Sequence, residues 1–240
     1  MGERHYRIVD VHVSIGSDLK GYTLIVGFPG IGLVGPIVAR HLIESRRMKL
    51  VGTISSPDFP AVSAIHNGVA LPPVRIYADD EKRIAVVVSE VMFSEGTAKK
   101  LGAALIDAAK KQGVERIVSI AGVLMPGGGG TTIFGAASHP DGVKYLMRYG
   151  ITPVEKGITT GISATLLTHG QTKSVNVVLV LGTLRAKEDF RAAAEIVKKL
   201  DEMLGLDIPY DTLLERAAEI EREVSHIVSQ SKNRESPMYG

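Results

Sequence analysis

The sequence contains no cysteine, which excludes disulfide bonds, thiol catalysis and thiolate metal sites. It also lacks an excess of either charge, because 28 Lys and Arg residues against 26 Asp and Glu residues leave a formal net charge of +2. Because the two charges nearly balance, we expect no strong attraction to nucleic acid or to a membrane surface. The seven histidines never stand at metal-ligand spacing, so we expect neither a metal nor another cofactor.

Long apolar runs are missing as well. Residues 1–13 hold no uninterrupted apolar core of a signal peptide. No run reaches the roughly 18 residues that a membrane helix needs. We therefore expect a soluble, cytoplasmic protein with no membrane partner. A chain of 240 residues with 45% hydrophobic content can bury a full core, and we predict a single α/β domain over residues 1–228.

A glycine-rich stretch near the N-terminus organises the rest of the chain. An apolar run over residues 22–26 predicts a buried strand, and apolar residues at helical spacing follow from residue 37 onward. Between them lie the residues that we take as a structural signature, namely Gly27, Pro29, Gly30, Gly32 and Gly35. Strand, glycine turn and helix in this order are typical of the first unit of an α/β domain.

The last three of these glycines match G-x-G-x-x-G, for which two interpretations are open. In dinucleotide-binding folds such glycines let the backbone approach a pyrophosphate, and an acidic residue at the end of the next strand binds the ribose. Here Asp58 comes late after that strand and follows Pro57. The same glycines can instead let a helix pack tightly against its strand without any ligand.

The remaining chain alternates between strand and helix patterns. Strands are predicted at residues 6–13, 49–54, 84–88, 117–123 and 175–181, with the last of these as the final strand. His66-Asn67-Gly68 between apolar runs at 61–65 and 69–76 predicts a β-hairpin. Helices are predicted from about residue 95 to a C-cap at Gly113, at 143–148 and within 157–170. This order predicts a mostly parallel sheet with helices on both faces.

The C-terminal part is predicted to be a helical hairpin over residues 188–228 followed by a flexible tail over 229–240. Apolar residues step by three and four through both helices, and only a short connection separates them. The two apolar stripes can pack on the sheet or form a subunit interface. The tail is polar, contains Pro237 and ends in Met238-Tyr239-Gly240.

No set of residues identifies a reaction, and we assign no catalytic residue. Neither a G-x-S-x-G elbow nor a P-loop is present. Glu90, directly after a predicted strand, and Glu95 could form an acid–base pair, although such residues more often stabilise the start of a helix. The run Gly127–Gly130 could bind an anion or form a mobile loop.

Over residues 22–223 the chain resembles the proteasome assembly chaperone 2 family. The most specific match is the segment Gly27–Gly35. Further matches follow in the family's order: Phe59-Pro60, Pro73–Tyr77, Ser89-Glu90, Gly157-Ile158, Gly161, Leu166-Leu167, Ala192–Ala194 and Leu204–Asp207. The resemblance implies an α/β fold with nucleoside-phosphorylase-like topology but without the catalytic residues of those enzymes.

The resemblance also implies a function. It indicates a homo-oligomeric, non-enzymatic and ATP-independent chaperone that assembles 20S proteasome α-subunits. Met238, Tyr239 and Gly240 match the hydrophobic-Tyr-any sequence (HbYX) with which such chaperones dock between α-subunits. Relatives commonly open the penultimate helix with Asp-Pro, where this chain has Lys187-Glu188-Asp189-Phe190. The alternative is a nucleotide- or nucleoside-binding α/β enzyme that uses Gly30, Gly32 and Glu90.

Overall fold

A computed structural model of the chain describes residues 4–8, 10–66, 68–89, 91–124, 131–184 and 189–218. Its strands are β1 (Arg4–Ile8), β2 (Val11–Ile15), β3 (Thr23–Gly27), β4 (Lys49–Ser55), β5 (Ala64–His66), β6 (Val69–Leu71), β7 (Val74–Asp79), β8 (Ile84–Ser89), β9 (Arg116–Leu124), β10 (Ile133–Ala137), β11 (Thr152–Pro153) and β12 (Val177–Leu184). Its helices are α1 (Val34–Ser45), α2 (Glu95–Gln112), α3 (Pro140–Arg148), α4 (Gly161–Lys173) and α5 (Phe190–Leu204). Residues 211–218 are helical as well.

The described strands form one large sheet in the order β1-β2-β4-β7-β8-β3-β9-β12-β10-β11. The α/β class predicted from the sequence is confirmed. Parallel pairing is confined to the centre, β8-β3-β9-β12, and to the pair β10-β11. The neighbours in the run β1-β2-β4-β7-β8 pair antiparallel, as do β10 and β12. The sheet is therefore mixed, because short turns such as the one between β7 and β8 can only join antiparallel neighbours.

Helices cover both faces of the sheet. One core layer contains buried side chains of α1 and α5, such as Leu42 and Leu200. The other contains buried side chains of α2 and α4, such as Leu105 and Leu166. The central strands contribute to both layers, and β8 is buried at every position, as predicted for a strand between two helical layers. Each fully buried aliphatic side chain contributes about 1.5–3 kcal/mol.

The prediction of one strand over residues 6–13 is wrong. Asp10 has a φ of 66°, and the chain reverses there into the antiparallel pair β1 and β2. Asp is among the non-glycine residues that tolerate this left-handed conformation best. Val11 and Val13, on one face of β2, are both fully buried.

The hairpin around Gly68 is confirmed, with Gly68 at a φ of 79°. However, β5 and β6 form a separate two-stranded sheet, and the predicted strand 69–76 is divided. Pro72 and Pro73 lie at the break between β6 and β7, since proline cannot donate a ladder hydrogen bond. Strands β10 and β11 were not predicted, because β10 carries a glycine at its centre and β11 has only two residues.

The helix boundaries follow their capping residues. Ser94 Oγ accepts a hydrogen bond from the backbone N–H of Thr97, and α2 ends at Gly113 with a φ of 68°, as predicted. The loop Gly127–Gly130, the rest of the second predicted C-terminal helix and the tail 229–240 lie outside the described residues. The domain boundary at residue 228 and the nucleoside-phosphorylase-like topology stay predictions.

Candidate functional site

The glycine turn between β3 and α1 brings strand and helix into close contact. A Cβ atom placed on Gly27 would lie 2.5 Å from the carbonyl oxygen of Gly35 and 2.5 Å from Cβ of Ala39. A Cβ atom on Gly35 would lie 2.5 Å from the carbonyl oxygen of Phe28. Real Cβ atoms do not approach other atoms this closely, so a larger residue would push α1 away from the sheet. These two glycines act in packing.

Gly32 lies within a short 3-10 turn, Ile31–Leu33, and has a φ of 76°. This conformation favours glycine. A Cβ atom on Gly32 would lie 2.6 Å from Cδ1 of Leu184, and one on Gly122 would lie 2.5 Å from the same methyl group. The side chain of Leu184, at the end of β12, therefore fills the space directly beside the turn.

The described residues lack two features of a dinucleotide site at this turn. A Cβ atom on Gly30 would meet open space, but its neighbour Gly32 is closed off by Leu184. The acidic candidate Asp58 follows β4, which is separated from β3 by β7 and β8 in the sheet. Its carboxylate accepts a hydrogen bond from Lys100 Nζ at 2.7 Å. The packing interpretation of the glycines is thus the one that the geometry favours.

The loop after β8 holds the other predicted candidates. Ser89 is fully buried, and its Oγ donates to the carbonyl oxygen of Val91 at 3.1 Å and accepts from the N–H of Val91 at 3.0 Å. Glu95 is exposed in the first turn of α2, where a carboxylate stabilises the helix start. Glu90 lies outside the described residues, so an acid–base pair with Glu95 stays a prediction.

Among the described residues, no three His, Asp or Glu side chains come together as metal ligands. His41 Nε2 donates to the carbonyl oxygen of Pro209 at 2.6 Å, and His139 Nδ1 lies 2.8 Å from Ser138 Oγ. No described helix combines the length and apolarity that a membrane crossing requires.

The glycine turn is connected to the C-terminal part of the chain. Asp189 caps α5, because its Oδ1 accepts a hydrogen bond from the N–H of Ala192 at 2.9 Å. The N–H of Asp189 donates to the carbonyl oxygen of Gly32 at 3.2 Å. Asp189 thus supplies the cap with Phe190, not a proline, as the first residue of the helix.

An ionic cluster fixes the loop that follows α5, residues 205–210, which we call the exit loop. Arg46, at the end of α1, donates from Nε to Asp79 at 2.7 Å and from Nη1 to the carbonyl oxygen of Leu206 at 3.2 Å. Lys82 Nζ forms an ion pair of 2.5 Å with Asp207. These contacts join α1, the β7–β8 turn and the exit loop, residues that are far apart in the sequence.

The charges of this cluster shift the ionisation of its carboxylates. Burial by itself raises the pKa of Asp79, but the hydrogen bond from Arg46 and those from the N–H groups of Lys82 and Glu81 outweigh it and hold that pKa below its ordinary value. The hydrogen bond from Lys82 lowers the pKa of Asp207. No spacing in the sequence indicated this cluster, because its members come from three separate segments.

The helix that begins at residue 211 packs on the body over its described part. Leu213 and Ala217 are buried, and Leu213 joins the core layer of α1 and α5. The sequence left open whether the apolar stripe of this helix packs on the sheet or forms a subunit interface. These two residues pack on the body. The predicted partner-binding residues Met238, Tyr239 and Gly240 lie beyond the last described residue, so their role stays a prediction.

Two solved structures from Pyrococcus furiosus resemble this one. PbaA, an archaeal homologue of proteasome-assembly chaperone, shares 26% sequence identity and a TM-score of 0.87, over 94% of each chain. PbaB, an archaeal proteasome activator, shares 24% identity and a TM-score of 0.79, over 91% of this chain and 98% of PbaB. The likeness to PbaB shows the fold alone.

The sequence comparisons agree with the structural ones. An uncharacterized protein of Methanocaldococcus jannaschii is 26% identical over 229 residues, which are 92% of this chain and 94% of the relative. The profile of the PAC2 family matches residues 24–228. This range includes the glycine turn, the loop after β8, the ionic cluster and the exit loop, and the chain therefore belongs to the PAC2 family.

Proposed function

We propose that this protein is an ATP-independent proteasome assembly chaperone that binds 20S α-subunits through Met238, Tyr239 and Gly240. The observation that carries the proposal is the combination of a PAC2 body with a hydrophobic-Tyr-any sequence at residues 238–240. The similarity to PbaA over 94% of both chains supports the chaperone part of the proposal. The role requires neither a catalytic residue nor a cofactor.

The chemistry of the three tail residues suits a narrow pocket between two protein subunits. Tyr239 offers a large ring and a hydroxyl group, so it can bury apolar area and still satisfy a hydrogen bond. Met238 is flexible and polarizable, which lets it adapt to an irregular apolar wall. A terminal carboxylate on Gly240 can pair with a lysine or with backbone N–H groups.

The ionic cluster and the exit loop attach the chain after α5 to the body. Arg46, Asp79, Lys82 and Asp207 hold the exit loop to the body. Leu213 anchors the first turn of the following helix. Because a single three-residue contact is weak, several tails carried by one assembly would bind with higher avidity.

The test is binding of the full chain to purified 20S α-subunits, measured by surface plasmon resonance. Deletion of residues 238–240 should abolish binding, and Tyr239→Ala should weaken it at least about tenfold, or about 1.4 kcal/mol. Ser236→Ala, an alanine substitution in the same segment, is the control and should bind like the unaltered chain. Unchanged affinity after the deletion would refute tail docking, provided that thermal unfolding shows an intact body.

A further inference from the structure

A short arm leaves the body between β4 and β7. We define the arm as residues 60–72, of which the structure describes all but residue 67. It carries the hairpin β5–β6, in which Ala64 pairs with Leu71, Ile65 with Ala70 and His66 with Val69. Among the strands that the structure describes, neither β5 nor β6 has a second neighbour, since the two form a sheet of their own. A strand with one neighbour presents the N–H and C=O groups of its other edge, and these can pair with a further strand.

The edges of the arm lack the charges that usually prevent such pairing. Edge strands of soluble proteins often carry lysine or other charged residues, which keep further strands away. Residues 59–74 contain no Asp, Glu, Lys or Arg, whereas 22% of the chain is charged and a stretch of 16 residues would hold about three or four such residues. Pro60 and Pro72 lie outside the two strands. The edges of β5 and β6 are thus short but open to a strand from another chain.

Both ends of the arm are fixed to the body. At its start, the ring of Phe59 lies 4.8 Å from that of Phe93, which packs edge-on against Phe28. At its end, Arg75 Nη1 donates to the carbonyl oxygen of Pro72 at 2.9 Å. These contacts hold the arm in one orientation, so a partner that binds it does not have to order it first.

Arm and body enclose an apolar groove. Ile65 is 70% exposed and Val69 is 60% exposed, and exposed apolar side chains that gather beside a concave surface mark an interaction site. The groove has a volume of about 870 Å³. Binding pockets of proteins measure about 300–1,000 Å³, so this groove can hold several side chains of a partner. Its apolar lining includes Ile43, Met48 and Leu50 from the body and Ile65, Val69 and Leu71 from the arm.

The backbone and the charges of the site indicate the chemistry of its partner. The open strand edge favours an extended segment, because a helix satisfies its own backbone groups and cannot pair with the edge. The body contributes Arg40, Glu44 and Arg75 to the lining of the groove, whereas the arm contributes no charge. The side of the site that the arm forms therefore favours a segment without charges, since a charged group would lose its water there without gaining an ion pair.

We infer that the arm and the groove bind an extended, uncharged, apolar segment of another protein, which adds to the hairpin as a third strand. Alternate side chains of that segment point into the groove, because side chains alternate along a strand. Such segments are accessible in a protein that has not completed its fold or its assembly, since a finished core buries them. The inference goes beyond the proposed function, because it gives the body a binding site separate from residues 238–240.

The first test measures the binding of synthetic peptides to the full chain by fluorescence anisotropy. The probe is a peptide of seven residues in which valine and threonine alternate, with blocked ends and a neutral dye. It should bind at least about tenfold more tightly than two matched peptides, one with proline at its centre and one with lysine in place of the valines. Proline cannot pair within a strand, and lysine brings charge to the arm. No binding of the probe at high micromolar concentration, or equal binding of either matched peptide, would overturn the inference.

A second test places the peptide on the arm. Ile65→Asp should weaken binding of the probe at least about tenfold, because it puts a carboxylate into the apolar lining. Ile158→Asp is the matched control, because Ile158 is 96% exposed outside the arm and the substitution is the same. Equal affinity of the Ile65→Asp variant and the unaltered chain would overturn the site.

Light scattering and a tail deletion distinguish the other possible occupants of the groove. If Ile65→Asp lowers the mass of the protein in solution and the probe binds neither form, a second copy covers the arm and the inference is wrong. Deletion of residues 238–240 should leave the affinity for the probe unchanged, so this inference and the proposed tail docking fail independently. A probe that binds only after the deletion would assign the groove to the chain's own tail and would likewise overturn the inference.

Discussion

Leu184 and the close-packed residues Gly27 and Gly35 determine how much free space the turn after β3 has. Leu184 occupies the space beside Gly32 and Gly122. The carbonyl oxygens of residues 28 and 35 leave no room for a side chain on Gly35 and on Gly27, respectively. At Gly27, Gly32 and Gly35 the protein's own atoms fill the space that a side chain would need, whereas the space beside Gly30 is open. At the residue scale, the chain therefore matches the dinucleotide fingerprint in sequence, whereas the geometry of the turn favours packing.

Gly35→Ala should destabilise the fold by about 1–3 kcal/mol, because the new methyl group would overlap the carbonyl oxygen of Phe28. This loss would reverse the usual gain of up to about 1 kcal/mol for Gly to Ala in a helix. Gly96→Ala is the matched control: Gly96 is also the second residue of its helix, and its Cβ would meet open space. Urea unfolding measures both, and equal stability of the two variants would contradict the packing role.

The elements differ in how far their own residues specify them. Helix α2 carries both of its signals locally, since Ser94 accepts from Thr97 at its start and Gly113 adopts a positive φ at its end. Both were predictable from the sequence. Strand β10 owes its existence to pairing with β12 and β11, which lie far along the chain, and its own sequence shows no clear alternation.

The ionic cluster acts between elements, because it joins α1, the β7–β8 turn and the exit loop, which are far apart in the sequence. Asp79 has a pKa below its ordinary value, and it stabilises the folded state most fully above the unfolded-state pKa of about 4. The stabilisation is lost as the pH falls from about 4 through the lowered folded-state pKa.

Arg46→Met should reduce the free energy of unfolding at pH 7 by about 1.5–3 kcal/mol, since it leaves the nearly buried Asp79 without its charged donor. At a pH well below 4 the difference from the unaltered chain should be smaller, because protonation of Asp79 removes its ion pair with Arg46. Lys144→Met, which removes an exposed ion pair with Asp141, is the control and should change stability by less than about 1 kcal/mol. Urea unfolding at both pH values provides the measurement, and an equal loss at both would contradict the assigned coupling.

At the scale of the whole molecule, the exit loop and the groove between α1 and the hairpin β5–β6 lie on the same face of the sheet. The exit loop and the buried start of the last helix lie against α1 and the β7–β8 turn, whereas the arm stands away from the body beside the groove. Neither surface requires a small-molecule ligand.

Nucleotides and nucleosides should therefore leave the thermal stability of the full chain unchanged. Ligand that binds only the folded state at 100 times its dissociation constant would stabilise it by about 2.7 kcal/mol, a shift that differential scanning fluorimetry detects readily. ATP, NAD and adenosine at millimolar concentration are suitable probes. A clear rise in melting temperature that Gly32→Val removes would support the enzyme alternative and contradict the packing role of the glycine turn.

The sequence by itself determined the α/β class, the strand–turn–helix unit around Gly32, the caps of α2 and the burial of β8, because hydrophobic period and capping chemistry act between residues close in the chain. Only the tertiary structure decided that Leu184 fills the glycine turn, that Arg46 binds Asp79 and the exit loop, and that the arm stands over an open groove. Each of these depends on segments that meet through the sheet order. Packing between distant segments is a property of the folded chain as a whole, and no local pattern encodes it.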